Sequence, residues 1–516
     1  MDNFTVDFLT RDFSQPFTPA LAYSPADPVF FVPQSLSWSA YGGQDQAVLV
    51  TNTTLEKVFD LPSLIRCPVF IRDHFGSPAW WGFVSEIKIQ FEQCLVSLSI
   101  DQLFNSVKVN YSFISPDNKL GQQLHTPTAA NPSSQSEYGI KELSVKRFGI
   151  DDDFALNLRD HLLSQFAWPS TVITQNPSDQ QVSAVLICKG WFHTLDWQTY
   201  NNPEGFWGNY GPGPGIFVFD SGSSVRYPSQ RFTAGAAAQL KYAYFMLRKI
   251  GTPARNLAAQ LRDAAGALLV NSGAYNGALL EDTSYTWVRF EFSPPYALTG
   301  GVTYMIGVTS TATDGSHHFG IRTDEDQNFI GGYGRYYNGS SWLNLPSITQ
   351  PGGRPDLYFR VIAVTDTGTQ LFNISTHGNQ FFNRIEAPAT GVLISPYRDN
   401  DFSHKKELEF LMSLGTSNQL KVLANVTPDR QLIFSEQPSP DNPAGFLDRQ
   451  GRFFTNEGTP VYPWKPPIGK WILFSGTSRI NHPWDKHRIP ASFVEKAKYN
   501  SLTRILTLNP QRENLI

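Results

Sequence analysis

Cysteine, charge and long apolar runs are all scarce in this sequence. Its 516 residues include three cysteines, an odd and widely spaced set within otherwise apolar segments: Cys67, Cys94 and Cys188. This pattern is typical of buried, reduced thiols and disfavours a disulfide framework or a cysteine metal site. We therefore expect the protein to fold in a reducing compartment.

No segment predicts export or membrane insertion. The stretch MDNFTVDFLTRDF at the start lacks the basic and continuous apolar regions of a signal peptide. No later stretch reaches the roughly 18 apolar residues that cross a bilayer. We expect a soluble protein that is made in the cytoplasm and does not insert into membranes.

Charged residues make up 17% of the chain, the formal net charge is −4, and Lys and Arg form no block. Attraction to a nucleic-acid backbone needs clustered cations, so no nucleic-acid partner is expected. Aromatic residues, by contrast, reach 14%, beside 39 Gly and 36 Pro. This balance favours short strands and many turns, and the length suggests roughly three domains. The sequence predicts a mainly β protein with a few helices.

The first zone, residues 1–200, predicts a β meander followed by a helix. Residues 67–73, 80–91 and 94–103 predict consecutive strands, and the alternation from Phe83 to Phe91 indicates one half-buried face. A fourth strand is expected at 106–113, then a loop or arm at 115–139. The last two predictions are a helix over 151–169, with Phe154, Leu158, Leu162 and Phe166 on one face, and a strand over 183–197.

A Gly- and Pro-rich stretch, NNPEGFWGNYGPGPG, predicts a boundary near residue 200. The second zone, residues 201–364, has the strand pattern of a β-sandwich. Its predicted strands are 224–235, 240–251, 286–293, 303–310 and 356–364. The segment ARNLAAQLRDAAGALLV between them has high helix propensity, yet DAAG is a plausible turn at its centre, and tertiary context overrides propensity.

The third zone, residues 365–516, resembles the first in combining predicted strands with a helix. It predicts a helix over 404–415, with Leu408, Leu411 and Leu414 on one face and Gly415 as its cap, and a hairpin over 419–437. Neither outer zone looks complete alone. We therefore predict a split host domain, 1–200 and 365–516, into which the sandwich of residues 201–364 is inserted.

Two family resemblances accompany this layout. The order RFTAG, AYFMLRKIG, YTWVRFEFS, LTGGVTYMIGV, GGYGRYYNGSSW and DLYFRVI resembles jelly-roll modules related to carbohydrate-binding domains. The outer zones, through WSAYGGQDQAVL, VFIRDHFGSPAWWGFVSEIKI, STHGNQFF, DRQLIFSEQP and IPASFVEKAKYN, resemble tail-tip and baseplate hub (distal tail) proteins of long-tailed bacteriophages. The resemblance implies a ring at the end of the tail tube, contacts with other tail proteins such as the tube, tape measure or fibre, and an outward sandwich.

The stretch GGYGRYYNGSSWLN, residues 331–344, is the predicted binding site. Its aromatic rings would stack on the apolar faces of sugars while polar neighbours supply hydrogen bonds. The candidate glycan-binding residues are Tyr333, Arg335, Tyr336, Tyr337, Asn338, Trp342 and Asn344. In the alternative reading, some of these rings cover the edge of the sandwich core. Adjacent Tyr336 and Tyr337 must face opposite sides if the strand is extended.

The sequence holds no catalytic motif of the GxSxG, HExxH, paired CxxC or P-loop kind, and we predict no catalytic residue, metal or cofactor. Acids that a glycosidase could use are Asp220, Glu281, Asp282, Asp324, Glu325 and Asp326. The run RTDEDQN is read as a solvated turn, with a calcium site as a lesser alternative. His317 and His318 beside Asp314 would point to opposite faces, and His482 and His487 are read as loop residues.

Together these patterns predict a virion protein of a phage tail tip, assembled in the host cytoplasm as an oligomeric ring and recognising a host-surface glycan. Several copies in one ring would convert weak binding into avidity. A carbohydrate-active enzyme, or a carbohydrate-binding protein outside a virion, is the alternative. A third possibility is that the sandwich is a spacer.

Overall fold

The computed structural model describes residues 4–17, 30–52, 58, 60–91, 93–114, 120–175, 182–202, 204–209, 214–219, 227–235, 237–253, 255–310, 317–325, 329, 331–347, 353–439, 443–448, 452–474 and 492–509. Strands hold 51% of the residues and helices 14%, so the chain is mainly β. Among the described residues, no helix has the length and apolar character that a bilayer crossing requires.

The strands are numbered in chain order. The first twelve are β1 Thr5–Phe8, β2 Val32–Ser39, β3 Gly43–Asn52, β4 Pro68–Arg72, β5 Pro78–Phe91, β6 Cys94–Ser99, β7 Ser106–Ile114, β8 Leu120–His125, β9 Ala129–Ala130, β10 Glu142–Phe148, β11 Ser170–Gln175 and β12 Ser183–Lys189. The next fourteen are β13 Phe206–Asn209, β14 Pro214–Phe219, β15 Tyr227–Thr233, β16 Ala238–Ile250, β17 Asn256–Asp263, β18 Leu268–Asn271, β19 Tyr275–Asn276, β20 Thr286–Leu298, β21 Thr303–Ser310, β22 His318–Asp324, β23 Gly334–Tyr337, β24 Trp342–Asn344, β25 Asp356–Leu357 and β26 Phe359–Asp366. The last are β27 Arg384–Glu386, β28 Leu393–Ile394, β29 Val422–Val426, β30 Gln431–Glu436, β31 Gly445–Leu447, β32 Phe453–Thr455, β33 Pro460–Val461, β34 Trp471–Phe474, β35 Ser492–Phe493, β36 Lys496–Asn500 and β37 Ile505–Leu508.

The helices connect the strands. Among the described residues, the α-helices include Pro132–Tyr138, Asp152–Phe166, Thr367–His377 and His404–Leu414, and the 3₁₀-helices include Leu61–Leu64, Trp191–Asp196 and Gly277–Leu279.

Two compact units make up the chain, and both are discontinuous in sequence. Unit 1 contains Met1–Tyr200, Leu371–Val392 and Asp401–Ile516, and unit 2 contains Asn201–Gln370 and Leu393–Asn400. The segment 393–400 differs from the boundaries expected from sequence. It joins unit 2 because β28 pairs with β26, Ile394 opposite Thr365.

Unit 1 is built around a ten-stranded sheet. Its order is β1-β4-β5-β12-β3-β2-β36-β37, with β6 on β5 and β11 on β6. Strand β36, near the C-terminus, pairs with β2 near the N-terminus, with Tyr499 opposite Leu36. Both residues are fully buried. Segments on either side of unit 2 in the sequence therefore share one sheet, which neither could complete alone.

The meander predicted in the first zone is confirmed, since β4, β5 and β6 pair antiparallel in sequence order. The loop predicted at 115–139 is wrong for most of its described part. Strands β8 and β9 both pair with β7, and a short helix follows. The Asn131 side chain caps that helix by accepting a hydrogen bond from the Ser134 amide, 3.1 Å away. The sequence signal missed these elements because the segment is short of apolar residues and rich in turn residues.

Both longer predicted helices are present. Asp151 caps Asp152–Phe166 by accepting from the Phe154 amide, although the Phe154 side chain itself is exposed rather than packed. In His404–Leu414, Leu408 and Leu411 are buried while Leu414 is exposed, and Gly415 ends the helix at φ 73°. The strand predicted at 183–197 is wrong beyond Lys189, because a 3₁₀-helix replaces it. Strands β29 and β30 form the predicted hairpin.

Unit 2 is a sandwich of two sheets. One sheet follows the order β13-β26-β16-β22-β14 with β20, β25 and β28 attached, and the other follows β18-β17-β21-β15-β23-β24 with β19. A single apolar cluster fills the space between them, including Phe232, Phe245, Phe290, Phe319 and Phe359. All five predicted strands of this zone are present.

The helix-prone segment after residue 254 is a hairpin. Strand β17 pairs with β18 on one side and with β21 on the other. Leu257, Ala259 and Leu261 are buried at alternate positions, a period of two that fits a strand and not a helix. The Asp263 carboxylate accepts the amides of residues 265 to 267, which stabilises the expected turn. Packing on the sandwich core thus overrides local propensity.

The three cysteines are free thiols. Cys67 and Cys188 are buried as expected, and burial raises the pKa of the Cys67 thiol to about 11. Cys94 differs from the expectation, since it lies at the start of β6 and is partly exposed.

Candidate functional site

The stretch 331–344 forms a hairpin at one end of the second sandwich sheet. Strand β23 pairs with β15 and with β24, so that Tyr337 lies between Tyr227 and Trp342. Asn338 makes the turn, because its Oδ1 accepts the amides of Ser340 and Ser341 at 3.0 and 2.9 Å. That oxygen is used within the hairpin.

The two adjacent tyrosines face opposite sides of the sheet, as alternation predicts. The Tyr336 ring packs on the core, 5.4 Å from the Phe217 ring. The Tyr337 ring lies on the other face and stacks on the Tyr227 ring, with centroids 6.1 Å apart and planes within 4°. Tyr336 therefore belongs to the core, and Tyr337 to the outward face.

Three outward rings form a cluster that we call the aromatic platform: Tyr227, Tyr337 and Trp342. The Trp342 ring lies 5.4 Å from that of Tyr337, and all three side chains are half-buried. The Arg262 guanidinium lies 5.5 Å from the Trp342 ring centre. The rings are partly exposed apolar surface, and Arg262 lies over the largest of them.

Two of the polar candidate residues near the hairpin form hydrogen bonds within the sandwich. Arg335 lies on the platform's face, and its Nη2 donates to the carbonyl oxygen of Trp342 at 2.8 Å. Asn344 lies opposite Arg335 in the register and is exposed. Tyr333 lies two residues before Arg335, where Arg231 donates to its hydroxyl at 3.0 Å. This hydrogen bond lowers the pKa of Tyr333.

The structure thus brings together four of the seven predicted residues on one outward face: Arg335, Tyr337, Trp342 and Asn344. It adds two that the sequence interpretation missed, Tyr227 and Arg262. Alternation along β15 and β17 could have placed Tyr227 and Arg262 on the outward face. Only the order of strands in the sheet shows that these two residues adjoin the hairpin.

The candidate acids of unit 2 are buried or lie apart from the platform. Asp324 accepts from Asn209 Nδ2 at 3.0 Å, and Asp356 accepts from Gln230 Nε2 at 2.8 Å. Burial, with Asp324 nearby, raises the pKa of Asp356 to about 6. Glu325 accepts from the Ser347 hydroxyl at 2.7 Å. These carboxylates join neighbouring segments of the sandwich.

Glu281 and Asp282 are exposed, whereas Asp220 and Asp326 lie outside the described residues. Asp314, His482 and His487 also lie outside them. His318 is the first residue of β22 and His317 precedes it. Within the described ranges, no three His, Cys, Asp or Glu side chains are grouped so as to hold a metal ion.

Unit 1 has a cavity of about 680 Å³ with both apolar and charged side chains in its wall. In its wall His193 Nε2 lies 3.0 Å from Asp45 Oδ1, and Lys405 Nζ lies 3.2 Å from His193 Nδ1. The hydrogen bond from His193 lowers the pKa of Asp45. Lys421 and Glu495 form a second pair at 2.7 Å. Opposite charges lie beside each other throughout this wall, so it favours neither anions nor cations.

Compared with known protein families and with curated proteins, the sequence matches none. Among the solved structures with weak similarity are three bacterial proteins. The first is a glycoside hydrolase family 43 arabinoxylan arabinofuranohydrolase from Bacillus subtilis, with 12% identity over 54% of this chain and 63% of that chain and a TM-score of 0.13. The second is the Cry4Aa toxin from Bacillus thuringiensis, with 6% identity over 71% of this chain and 58% of that chain and a TM-score of 0.17. The third is a CBM22 tandem domain of Paenibacillus barcinonensis Xyn10C, with 9% identity over 62% of this chain and 96% of that chain and a TM-score of 0.14. The chain spans less than two thirds of the first two. At these TM-scores no residue correspondence follows.

Proposed function

We propose that this protein is a structural component of a phage tail tip or baseplate and that its sandwich binds a host-surface glycan through the aromatic platform. The observation that carries the glycan part is the position of Tyr227, Tyr337 and Trp342. All three rings lie on the outward face of one sheet, opposite the core. A sandwich core does not require large rings there, whereas sugar rings stack on such surfaces.

The tail-tip part is supported by the resemblance of the outer zones and by the division of the chain. A host unit interrupted by a sandwich is the arrangement expected of a hub protein that displays a module. In a ring of identical subunits, one platform per subunit would give avidity, provided that the copies engage one surface together. A weak single site would then suffice.

The glycan part is tested with full-length protein on an array of bacterial surface polysaccharides, followed by titration of the best ligand. Trp342→Ala removes the platform's largest ring. Leu343→Ala is the matched control, because Leu343 is the next residue of the same strand, is exposed and pairs with Tyr336 rather than with the platform ring Tyr337. We expect Trp342→Ala to weaken binding about threefold to tenfold and Leu343→Ala to leave it unchanged.

Thermal melting of both variants distinguishes a loss of glycan binding from a loss of folded protein. If Trp342→Ala lowers Tm by many degrees while binding per folded molecule stays constant, Trp342 is a core residue and stacking is wrong. If wild-type protein binds no array glycan, the platform is not a binding site for bacterial surface glycans.

The tail-tip part is tested separately by electron microscopy of the purified chain, alone and mixed with the neighbouring tail proteins. Closed rings with one lobe per subunit are the expected particles. A chain that stays monomeric in both samples yet binds glycan would instead be a carbohydrate-binding protein outside a virion.

A further inference from the structure

The sandwich sheet that lacks the platform also has an unusual outward face. Its central strand is β16, with β20 along one edge and β26 and β22 along the other. Ala243, Phe245 and Leu247 of β16 are fully buried in the core. Alternation therefore places Tyr242 and Arg248 on the outward face.

Arginines on this face lie over aromatic rings. The Arg360 guanidinium lies 4.4 Å from the centre of the Trp287 ring, and that of Arg289 lies 5.3 Å from the Tyr242 ring. Tyr244 lies between the two arginines in the register, since it is opposite Arg289 on one side and Arg360 on the other. Cations and rings thus alternate across three strands.

The same arrangement continues towards the other end of β16. The guanidinium groups of Arg248 and Arg322 lie 5.0 and 6.0 Å from the Tyr285 ring centre, and Arg322 also lies 5.3 Å from the Tyr358 ring. Gly320 makes room for this packing, because a Cβ there would lie 2.9 Å from the Tyr285 hydroxyl. These four arginines and the four rings that they cover are called the arginine–aromatic ladder.

Cations outnumber acids around the ladder. Glu291 pairs with Lys241 at 2.8 Å and more distantly with Arg289 at 3.9 Å. The exposed Glu281 accepts the Lys249 amide, beside Arg248, through its backbone carbonyl. No carboxylate of the described residues forms an ion pair with Arg248 or Arg322, and the Nε atoms of both are buried without a hydrogen-bond partner there. The ladder's arginines therefore give this face positive charge in a chain whose net charge is −4, although Arg231, Arg262 and Arg335 lie on the other sheet.

We infer that the arginine–aromatic ladder is a second binding site of the sandwich, for an anionic polysaccharide bearing carboxylate, sulfate or phosphate groups. A guanidinium presents five N–H donors in a rigid planar fork, and its charge does not titrate away. Paired N–H donors match the two oxygens of such an anion. From Tyr242 to Arg248 the ladder runs about 20 Å along β16, which suits a repeating polymer better than a single anion.

The same geometry disfavours a nucleic acid. Single-stranded nucleic acids gain affinity by stacking bases on open aromatic faces. On the ladder those faces are covered, since Tyr285 lies under two guanidinium groups and Trp287 under one. The site offers hydrogen-bond donors and charge rather than stacking surface.

This site does not depend on the proposed function of the platform, because the two lie on different sheets. It is tested by titrating full-length protein with a polyuronate, dextran sulfate, a teichoic-acid-type polyphosphate, neutral dextran and a single-stranded DNA oligonucleotide. We expect at least one anionic polysaccharide to bind and neutral dextran not to bind.

Three variants locate the site. Arg360→Gln should weaken binding about tenfold or more, because it removes a charged donor from the ladder. Arg255→Gln removes the same charge from an exposed position just before β17 of the other sheet and should change affinity less than twofold. Arg360→Lys keeps the charge without the planar fork and should bind clearly less well than wild type.

Several results would overturn the inference. Absence of binding to every polyanion at low salt would exclude the site. Equal weakening by Arg360→Gln and Arg255→Gln would indicate diffuse attraction only. DNA binding as tight as the polysaccharide's, with the same loss in Arg360→Gln, would make the ladder a nucleic-acid site. Wild-type affinity in Arg360→Lys would exclude recognition by the fork. A platform variant such as Trp342→Ala should leave this binding intact.

Discussion

Trp342 and Gly266 lie in close contact: a Cβ atom built on Gly266 would lie 2.0 Å from the indole Nε1. Gly266 belongs to the turn between β17 and β18, so the platform's largest ring rests on a turn from elsewhere in the sheet. The contact links the conformation of that turn to the position of the ring.

Gly266→Ala should therefore destabilise the sandwich more than an ordinary glycine replacement. Gly266 has φ +103°, where an L side chain costs about 1 to 3 kcal/mol, and the new methyl group also displaces the indole. Gly339→Ala is the matched control, because Gly339 has φ +100° but nothing within 4 Å of the added Cβ. Urea denaturation should show the larger loss for Gly266→Ala. Equal losses would contradict the contact.

The opposite orientations of Tyr336 and Tyr337 predict opposite mutational effects. Tyr336→Ala removes a ring that packs on the core and should lower the free energy of unfolding by about 2 to 3 kcal/mol. Tyr337→Ala loses only outward contacts and should cost about 1 kcal/mol while weakening glycan binding. Thermal melting and glycan titration distinguish the two. A larger stability loss for Tyr337→Ala would reverse the assignment of faces.

Stability of the sandwich should fall as pH rises from about 4 to about 6. Burial raises the pKa of Asp356 to about 6, so the folded state binds a proton more tightly than the unfolded state. Below both pKa values the two states bind it equally, and above them the folded state holds a disfavoured carboxylate, at a cost of up to about 3 kcal/mol. The unfolding free energy of wild type minus that of Asp356→Asn should therefore fall as pH rises across this range, because only wild type titrates. A flat difference would contradict the assignment.

Unit 1 should show the opposite pH dependence through His404. Its Nδ1 lies 2.9 Å from the Gln198 carbonyl oxygen and its Nε2 lies 3.0 Å from His377 Nδ1. Burial lowers the pKa of His404 to about 4. The neutral ring is therefore favoured on folding, and this stability, up to about 3 kcal/mol, is present above the unfolded pKa near 6.5 and lost as pH falls towards 4.

The variant His404→Gln keeps a donor and an acceptor but does not titrate. Its stability relative to wild type, measured by denaturation from pH 4 to pH 7, should improve as pH falls. His161→Gln, at an exposed helix position, is the control and should leave the pH profile unchanged. If wild type and His404→Gln lose stability in parallel, His404 is not the group responsible.

Much of the fold was predictable because burial leaves a periodic trace in the sequence. The alternation along β5 and the spacing of Leu408 and Leu411 identified a strand and a helix correctly. Strand β8 and the helix after Asn131 were missed, since short, polar elements carry little periodic signal. The turn at Asp263 was recognised from residue type, although the flanking sequence prefers a helix.

The candidate site was predictable only within the hairpin itself. Local alternation required Tyr336 and Tyr337 to face opposite sides, but could not say which ring faces the core. Asn338 was proposed as a ligand because an exposed amide forms hydrogen bonds, whereas the structure uses its oxygen for the turn. Local sequence does not show which partners a polar group finds.

The sequence by itself determined the mainly β character, the period-two strands and the residues that share a face within each strand, because these depend on contacts between near neighbours. Only the tertiary structure decided that β15 and β17 bring Tyr227 and Arg262 to the hairpin, and that arginines from β16, β20, β22 and β26 cover rings of neighbouring segments. Strand order is set by which apolar faces fill one core together. That is a property of the whole unit, which no single segment encodes.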